Sequence, residues 1–217
     1  MADVGAFFEA VRTGDTGRVR EALRQDPGLA GAQSDRGFSA VTTAAYFGHG
    51  DVLRTLLEAG PDLTIHESAL VGDVPRLEAL LAGDPSLLEA YSADGFTPIG
   101  LAAYMGHVGA LRLLLANGAD VNAVGRNEGK FTALTGAVAS NHVEVVRILL
   151  EHGADARYRY ENGSSPLHEA AANGNLDIAK LLLARGADPA ARTADGKTPR
   201  DLAREKGHAE LAALLAP

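Results

Sequence analysis

Apolar positions recur along this 217-residue chain in short bursts with helical spacing, each closed by glycine. Leu111, Leu114 and Leu115 form one burst, Val146, Leu149 and Leu150 another, and Ile178, Leu181 and Leu182 a third. Steps of three and four residues put each set on one helical face. The bursts stop at Gly118, Gly153 and Gly186, each followed by Ala-Asp. A shorter Ala-rich segment such as Leu101-Ala102-Ala103 precedes each, opened by Thr97-Pro98, Ser165-Pro166 or Thr198-Pro199. A hydroxyl residue there caps the free amides of a helix start, and proline fits the first helical position because its missing N–H is not needed. Alanines let two helices approach closely. Gly106 or Gly174 then ends the segment, since glycine enters the left-handed region without steric cost. The pattern therefore predicts pairs of short helices, the second more apolar than the first, joined by polar stretches.

The pairs repeat. A small residue, usually followed by His or Asp, stands at Gly14, Gly48, Gly72, Gly106, Asn141, Gly174 and Gly207, with steps of 34, 24, 34, 35, 33 and 33. That predicts seven helix–turn–helix units over 1–217 as a single repeat domain, at about 1–34, 35–62, 63–91, 92–123, 124–157, 158–191 and 192–217. No unit buries its apolar face alone, so neighbours must stack. The end units are atypical: the first lacks Thr-Pro and carries Phe7, Phe8 and Val11, and the last is rich in charge at Arg200, Asp201, Arg204, Glu205 and Lys206.

The stretches "GFTPIGLAAYMGH", "SSPLHEAAANGN" and "LLEHGAD" resemble the ankyrin repeat in order and spacing, and the resemblance covers nearly the whole chain. It implies an all-α solenoid of antiparallel helix pairs, with hairpin-like loops projecting at right angles and a concave groove that recognises proteins. The family's repeats carry no catalytic residues. Two departures stand out. The step from Gly48 to Gly72 is ten residues shorter than its neighbour, and "LTIHESALVGD" keeps the helix opening, so one hairpin is missing near residues 60–64. Residues 10–63 also align without gaps to 68–121, at an offset of 58, pairing Gly14 with Gly72, Asp26-Pro27 with Asp84-Pro85, Phe38 with Phe96, Tyr46 with Tyr104 and His49 with His107. A duplicated two-unit block is inferred.

Composition narrows the function. A hydrophobic fraction of 46% with 22% charged residues fits a folded chain, and no Cys is present, which excludes disulfides and thiol chemistry. Neither a signal segment at Met1 to Gly5 nor an apolar run of membrane length is seen, so a cytoplasmic location is expected. A net charge of −8 disfavours nucleic acid and anionic membrane. Sixteen Arg against four Lys, with abundant Ala, Gly and Leu, point to a GC-rich bacterial genome.

Seven His invite a metal or acid–base reading, but each sits at a repeat position: His49, His107, His142 and His208 after the helix-ending residue, His66 and His168 in the helix opening, His152 before Gly153. Backbone bonds between units are expected for them, and their spacing is too wide for a shared metal. No catalytic triad order, phosphate loop or cofactor fingerprint is present. Asp62, Asp120, Asp155 and Asp188 read as turn residues. Arg157-Tyr158-Arg159-Tyr160 alternates cations with rings where a hairpin belongs; alternation puts both Tyr on one face and both Arg on the other.

The aromatics carry the sharper expectation. Phe38, Phe96 and Phe131 precede helix openings, Tyr46-Phe47 and Tyr104-Met105 precede helix-ending glycines, and Tyr158 and Tyr160 lie on a hairpin. By the resemblance these positions face the groove, as partner-binding anchors; packing of neighbouring rings on one another is the competing account. The expected function is non-enzymatic recognition of an unidentified protein, centred on units two to five, with the notch beside the missing hairpin admitting a loop or helix. No cofactor or metal is called for. A monomer is expected, with self-association through the aromatic face as the alternative. A small-molecule-responsive regulator or an enzyme would declare itself by a metabolite-induced melting shift or by turnover lost with one His or carboxylate.

Overall fold

The computed structural model describes residues 3–216; Met1, Ala2 and Pro217 lie outside the described residues, and with them part of the reading of the extreme N-terminus. Fourteen α-helices fall into seven pairs: α1 Val4–Thr13 with α2 Thr16–Gln25, α3 Ala40–Tyr46 with α4 Gly50–Glu58, α5 Ile65–Val71 with α6 Val74–Gly83, α7 Pro98–Met105 with α8 Val108–Ala116, α9 Ala133–Ala139 with α10 Val143–Glu151, α11 Pro166–Asn173 with α12 Leu176–Ala184, and α13 Pro199–Glu205 with α14 Ala209–Leu214. The odd-numbered helices pack in sequence as one column, and the even-numbered ones form a second column beside it. Helices of six to ten residues are too short to persist alone. Burial between neighbours holds them: Leu111, Leu114, Val146, Leu149, Leu167, Ile178 and Leu182 are all closed off from solvent.

Asp3 caps α1, and the later first helices of the pairs follow the hydroxyl rule with one exception. Thr97 accepts from the Gly100 amide and Thr198 from that of Asp201. Ser39, Thr64 and Thr132 cap α3, α5 and α9 the same way without a following proline. Ser165 does not cap; its hydroxyl meets Nδ1 of His168 at 2.8 Å instead. Among the described residues there is no strand. The junction loops are hairpin-like turns closed by backbone bonds, as from Ser34 to Phe38, Ser92 to Phe96, Gly125 to Phe131, Tyr160 to Ser164 and Thr193 to Lys197. The offset-58 blocks match in detail: 3-10 turns at Pro27–Gly31 and Pro85–Glu89 are capped by Asp26 and Asp84, whose φ values are −144° and −147°.

Four histidines bind each unit to the one before. His49, His107, His142 and His208 point Nε2 at the carbonyls of Arg12, Leu70, Tyr104 and Ala172, at 2.9–3.1 Å. Each carbonyl lies two residues before the helix-ending Gly14, Gly72, Gly106 or Gly174, and each imidazole covers that glycine so closely that a Cβ would fall within 2.5–2.8 Å of the ring. Where Asn175 replaces the imidazole, the residue it meets is Asn141, which tolerates φ 58° and accepts from the Asn175 amide group at 3.2 Å. The helix-ending glycine thus serves two needs, a left-handed turn and room for the next unit's ring.

His107 and His168 are both held below the ordinary value of 6.5, in each case chiefly by burial. The folded chain therefore takes up protons less readily than the unfolded one. Their contribution is complete above pH 6.5 and is lost as the pH falls from there through the lower folded values. The melting temperature is expected to drop as the pH is lowered below about 6.5, and an H107N/H168N variant, though less stable throughout, should give a flatter profile. A parallel slope in the variant would assign the drop to other groups.

The stack is interrupted at residues 60–64. The link from α4 to α5 is a bare turn through Gly60, Pro61, Asp62 and Leu63, and α4 makes almost no contact with α6. The buried core divides near here into a smaller cluster, from Phe7 to Leu63, and a larger one that runs from Ile65 to Leu215 and takes in Ala45 of α3. Arg76 reaches across from α6, donating from Nε to the Leu63 carbonyl at 3.1 Å and pairing with Asp62. A cleft of about 550 Å³ beside it lies between α4 and α6.

Candidate functional site

The first helix of each pair and the loop before it form one continuous face. The aromatic positions singled out in the sequence lie on these elements, in different degrees of exposure. Phe47, Tyr104, Phe131 and Tyr46 are open, at 55%, 44%, 42% and 39%. Phe38, Phe96, Met105, Tyr158 and Tyr160 are half-buried. Phe96 and Met105 pack against the larger core, so removing the Phe96 ring costs stability as well as surface.

Two ring groups result. At the N-terminal end, Phe38 meets Tyr46 edge-on at 6.4 Å and Phe47 stacks on His49 at 6.2 Å. Phe8, Phe38, Tyr46 and Phe47 line a groove of about 650 Å³ between α1 and the loop before α3. Toward the C-terminal end, Tyr160 stands edge-on to Phe131 at 6.3 Å and 5.8 Å from Tyr158. The hydroxyl of Tyr158 donates to the Lys130 carbonyl at 2.7 Å. Tyr104 lies between the groups, its Cβ close against Gly136 of α9, where any larger residue would crowd it. Gly136 carries no mark in the sequence; its lack of a side chain makes sense only beside that ring.

The Arg-Tyr-Arg-Tyr stretch behaves as alternation predicts. The two rings adjoin, while Arg157 donates to the Gly186 carbonyl at 2.7 Å and Arg159 to that of Arg192. Each guanidinium group is thereby tied by one bond to the backbone of the following unit.

The missing hairpin leaves a slot of about 300 Å³ between the loop at 33–39 and that at 91–96. Its rim carries Phe38, Tyr46 and Tyr91; Thr64, Glu67 and Asp94 face it as well. Tyr46 bridges it, its hydroxyl donating to Asp94 at 2.6 Å. Burial, and after it the Asp94 carboxylate, push that hydroxyl's pKa well above the ordinary tyrosine range. The remaining histidines also reach backbone: His66 and His168 the carbonyls of Ala90 and Lys197, His152 that of Ile148 in its own helix. Among the described residues no group of three or more His, Asp or Glu is placed to hold a metal ion. No helix there is long and apolar enough to cross a membrane.

Comparison with known proteins agrees with this geometry. A segment of 73 residues is 40% identical to the NAD-capped RNA hydrolase NUDT12 of Homo sapiens, and equally to those of Pongo abelii and Macaca fascicularis. The match covers 34% of this chain and only 15% of each of those proteins. Two family models, described as ankyrin repeats (3 copies) and ankyrin repeats (many copies), match residues 65–160 and 149–203 respectively. With fourteen short helices in seven stacked pairs and those matches, the chain belongs to the ankyrin repeat family.

Proposed function

We propose that this chain is a non-enzymatic binding domain that holds another protein on the face built by its first helices and loops. Ankyrin repeats indicate a protein–protein interaction module. The observation that carries the reading here is the exposure of Phe47, Tyr104 and Phe131 on that single face. Large rings contribute most of an interface's affinity when a partner covers them, and open rings grouped on one surface call for a cover. Tyr46, Phe38, Phe96, Met105, Tyr158 and Tyr160 then act as the supporting rim, held by their contacts with neighbouring units. The two arginines beside the tyrosines are already bonded to backbone, which favours a protein over a nucleic acid as the occupant. A bacterial cytoplasmic setting goes with the Arg-rich, Cys-free composition.

The chain immobilised on resin should capture a partner from lysate of its native cell, and Phe47→Ala, Tyr104→Ala and Phe131→Ala together should weaken capture roughly tenfold or more. Arg112→Ala with Arg147→Ala, on the even-numbered helices, serves as the control and should leave it unchanged. Equal loss in both variants would overturn the reading. A slot of about 300 Å³ stands at the lower limit of ligand-sized pockets, so a metabolite screen by melting shift tests the small-molecule alternative.

A further inference from the structure

Neighbouring loops on the proposed binding face are joined to one another. The Arg126 amide donates to the Gly95 carbonyl at 2.8 Å, and that of Ala194 to the Asn162 carbonyl at 2.8 Å. Gly95 is so closely covered that a Cβ would come within 2.7 Å of the Arg126–Asn127 backbone. Its counterpart at offset 58 is Gly37, with nearly the same φ, 77° against 81°. Gly37 has nothing within 4 Å of a built Cβ, and among the described residues its carbonyl has no hydrogen-bond donor. The turn that would cover it is the missing hairpin. The slot therefore presents what the backbone of another turn satisfies elsewhere in the stack.

The charge in the slot selects the side chain that such a turn carries. Asp62 is paired with Arg76. Glu67 and Asp94 have no ion-pair partner among the described residues and are hydrogen-bonded only by neutral groups: Glu67 by the Thr64 amide and hydroxyl, Asp94 by the hydroxyls of Tyr46 and Ser92. No Lys or Arg lines the slot. Two half-buried carboxylates beside aromatic rings suit a flat, delocalised cation, which accepts stacking on its faces and two parallel bonds at its edge.

We propose that the slot receives a turn of a partner protein bearing an arginine, with the turn's backbone taking the place of the missing hairpin at Gly37 and the guanidinium group facing Glu67 and Asp94. This rests on the protein-binding reading above and adds the chemistry of the partner. A compact ammonium group makes a point contact where the guanidinium makes a paired one, so Lys is the weaker occupant.

The probes are blocked Gly-Arg-Gly, Gly-Lys-Gly and Gly-citrulline-Gly tripeptides, titrated into the ¹⁵N-labelled full chain. The Arg peptide should move the amide signals of Gly37, Thr64, Glu67 and Asp94 in a saturable way. The citrulline peptide, of like shape without charge, should bind roughly tenfold more weakly. Glu67→Gln with Asp94→Asn removes both charges yet keeps an acceptor for the Thr64 cap and the Tyr46 bridge, and should weaken the Arg peptide by a similar factor. Equal binding of the citrulline peptide, unchanged binding in the double variant, or shifts scattered over the acidic surface would each overturn the proposal; equal binding of the Lys peptide would overturn its assignment to guanidinium. These titrations need no partner, so their failure strikes the slot alone, whereas partner capture that survives loss of the three open rings strikes the reading beneath it.

Discussion

Gly106→Ala is expected to destabilise the fold by about 3 kcal/mol, and Gly48→Ala by about 1 kcal/mol, although both glycines end a first helix with positive φ. The backbone strain is common to the two, with φ 79° and 70°. The surroundings are not. A Cβ on residue 106 would lie 2.7 Å from the His142 ring, whereas one on residue 48 meets nothing within 4 Å. Relieving the clash requires the ring to move, which breaks its 3.0 Å bond to the Tyr104 carbonyl and leaves that carbonyl unpaired between units. Urea unfolding of the two variants measures the difference directly. Equal costs would mean that the imidazole yields freely and that only φ constrains these positions.

Leu149→Ala and Leu56→Ala should each lower stability by about 3 kcal/mol, because both side chains are fully buried in second helices. Where the loss is felt should differ. Leu149 belongs to the larger core cluster and Leu56 to the smaller, and the two clusters part close to the bare turn between α4 and α5, with only Ala45 of α3 crossing to the larger. Stability in a stacked array is a sum of unit and neighbour terms, so a weak neighbour term confines damage to its own side. Amide hydrogen exchange in the Leu56 variant should quicken over α1 to α4, with α8 to α14 unchanged; in the Leu149 variant it should quicken over α7 to α12. Uniform acceleration in either would show that the break at residues 60–64 does not uncouple the two parts.

The helix pairs, their number and the missing hairpin were legible because they rest on local chemistry: glycine at left-handed turns, hydroxyl caps, and apolar steps of three and four. The backbone role of the histidines was legible as well, since a residue type repeated every unit serves the repeat, except that His152 bonds its own helix and not a neighbouring unit. What a ring covers was not. Nothing in the sequence near Gly106 says that His142, thirty-six residues on, fills the space above it. Ser165 looked like a cap and bonds His168 because that fully buried imidazole, which also reaches the Lys197 carbonyl, competes for its hydroxyl. The split of the aromatics into open and half-buried rings was likewise hidden. Tyr46 and Tyr104 occupy matching positions, yet only Tyr46 reaches a carboxylate, because the shortened unit brings Asp94 within its range.

The histidine ladder gives the stack a direction of growth. Each imidazole reaches back toward the unit before it, so a unit supplies the ring that closes its predecessor and offers a bare glycine to its successor. Gly207, at φ 79° with nothing within 4 Å of a built Cβ, is such an offer left open. A designer who grafts an eighth pair behind α14 has the socket ready and needs only an imidazole at the matching place; a graft ahead of α1 must bring its own glycine to meet whatever stands at Asp15.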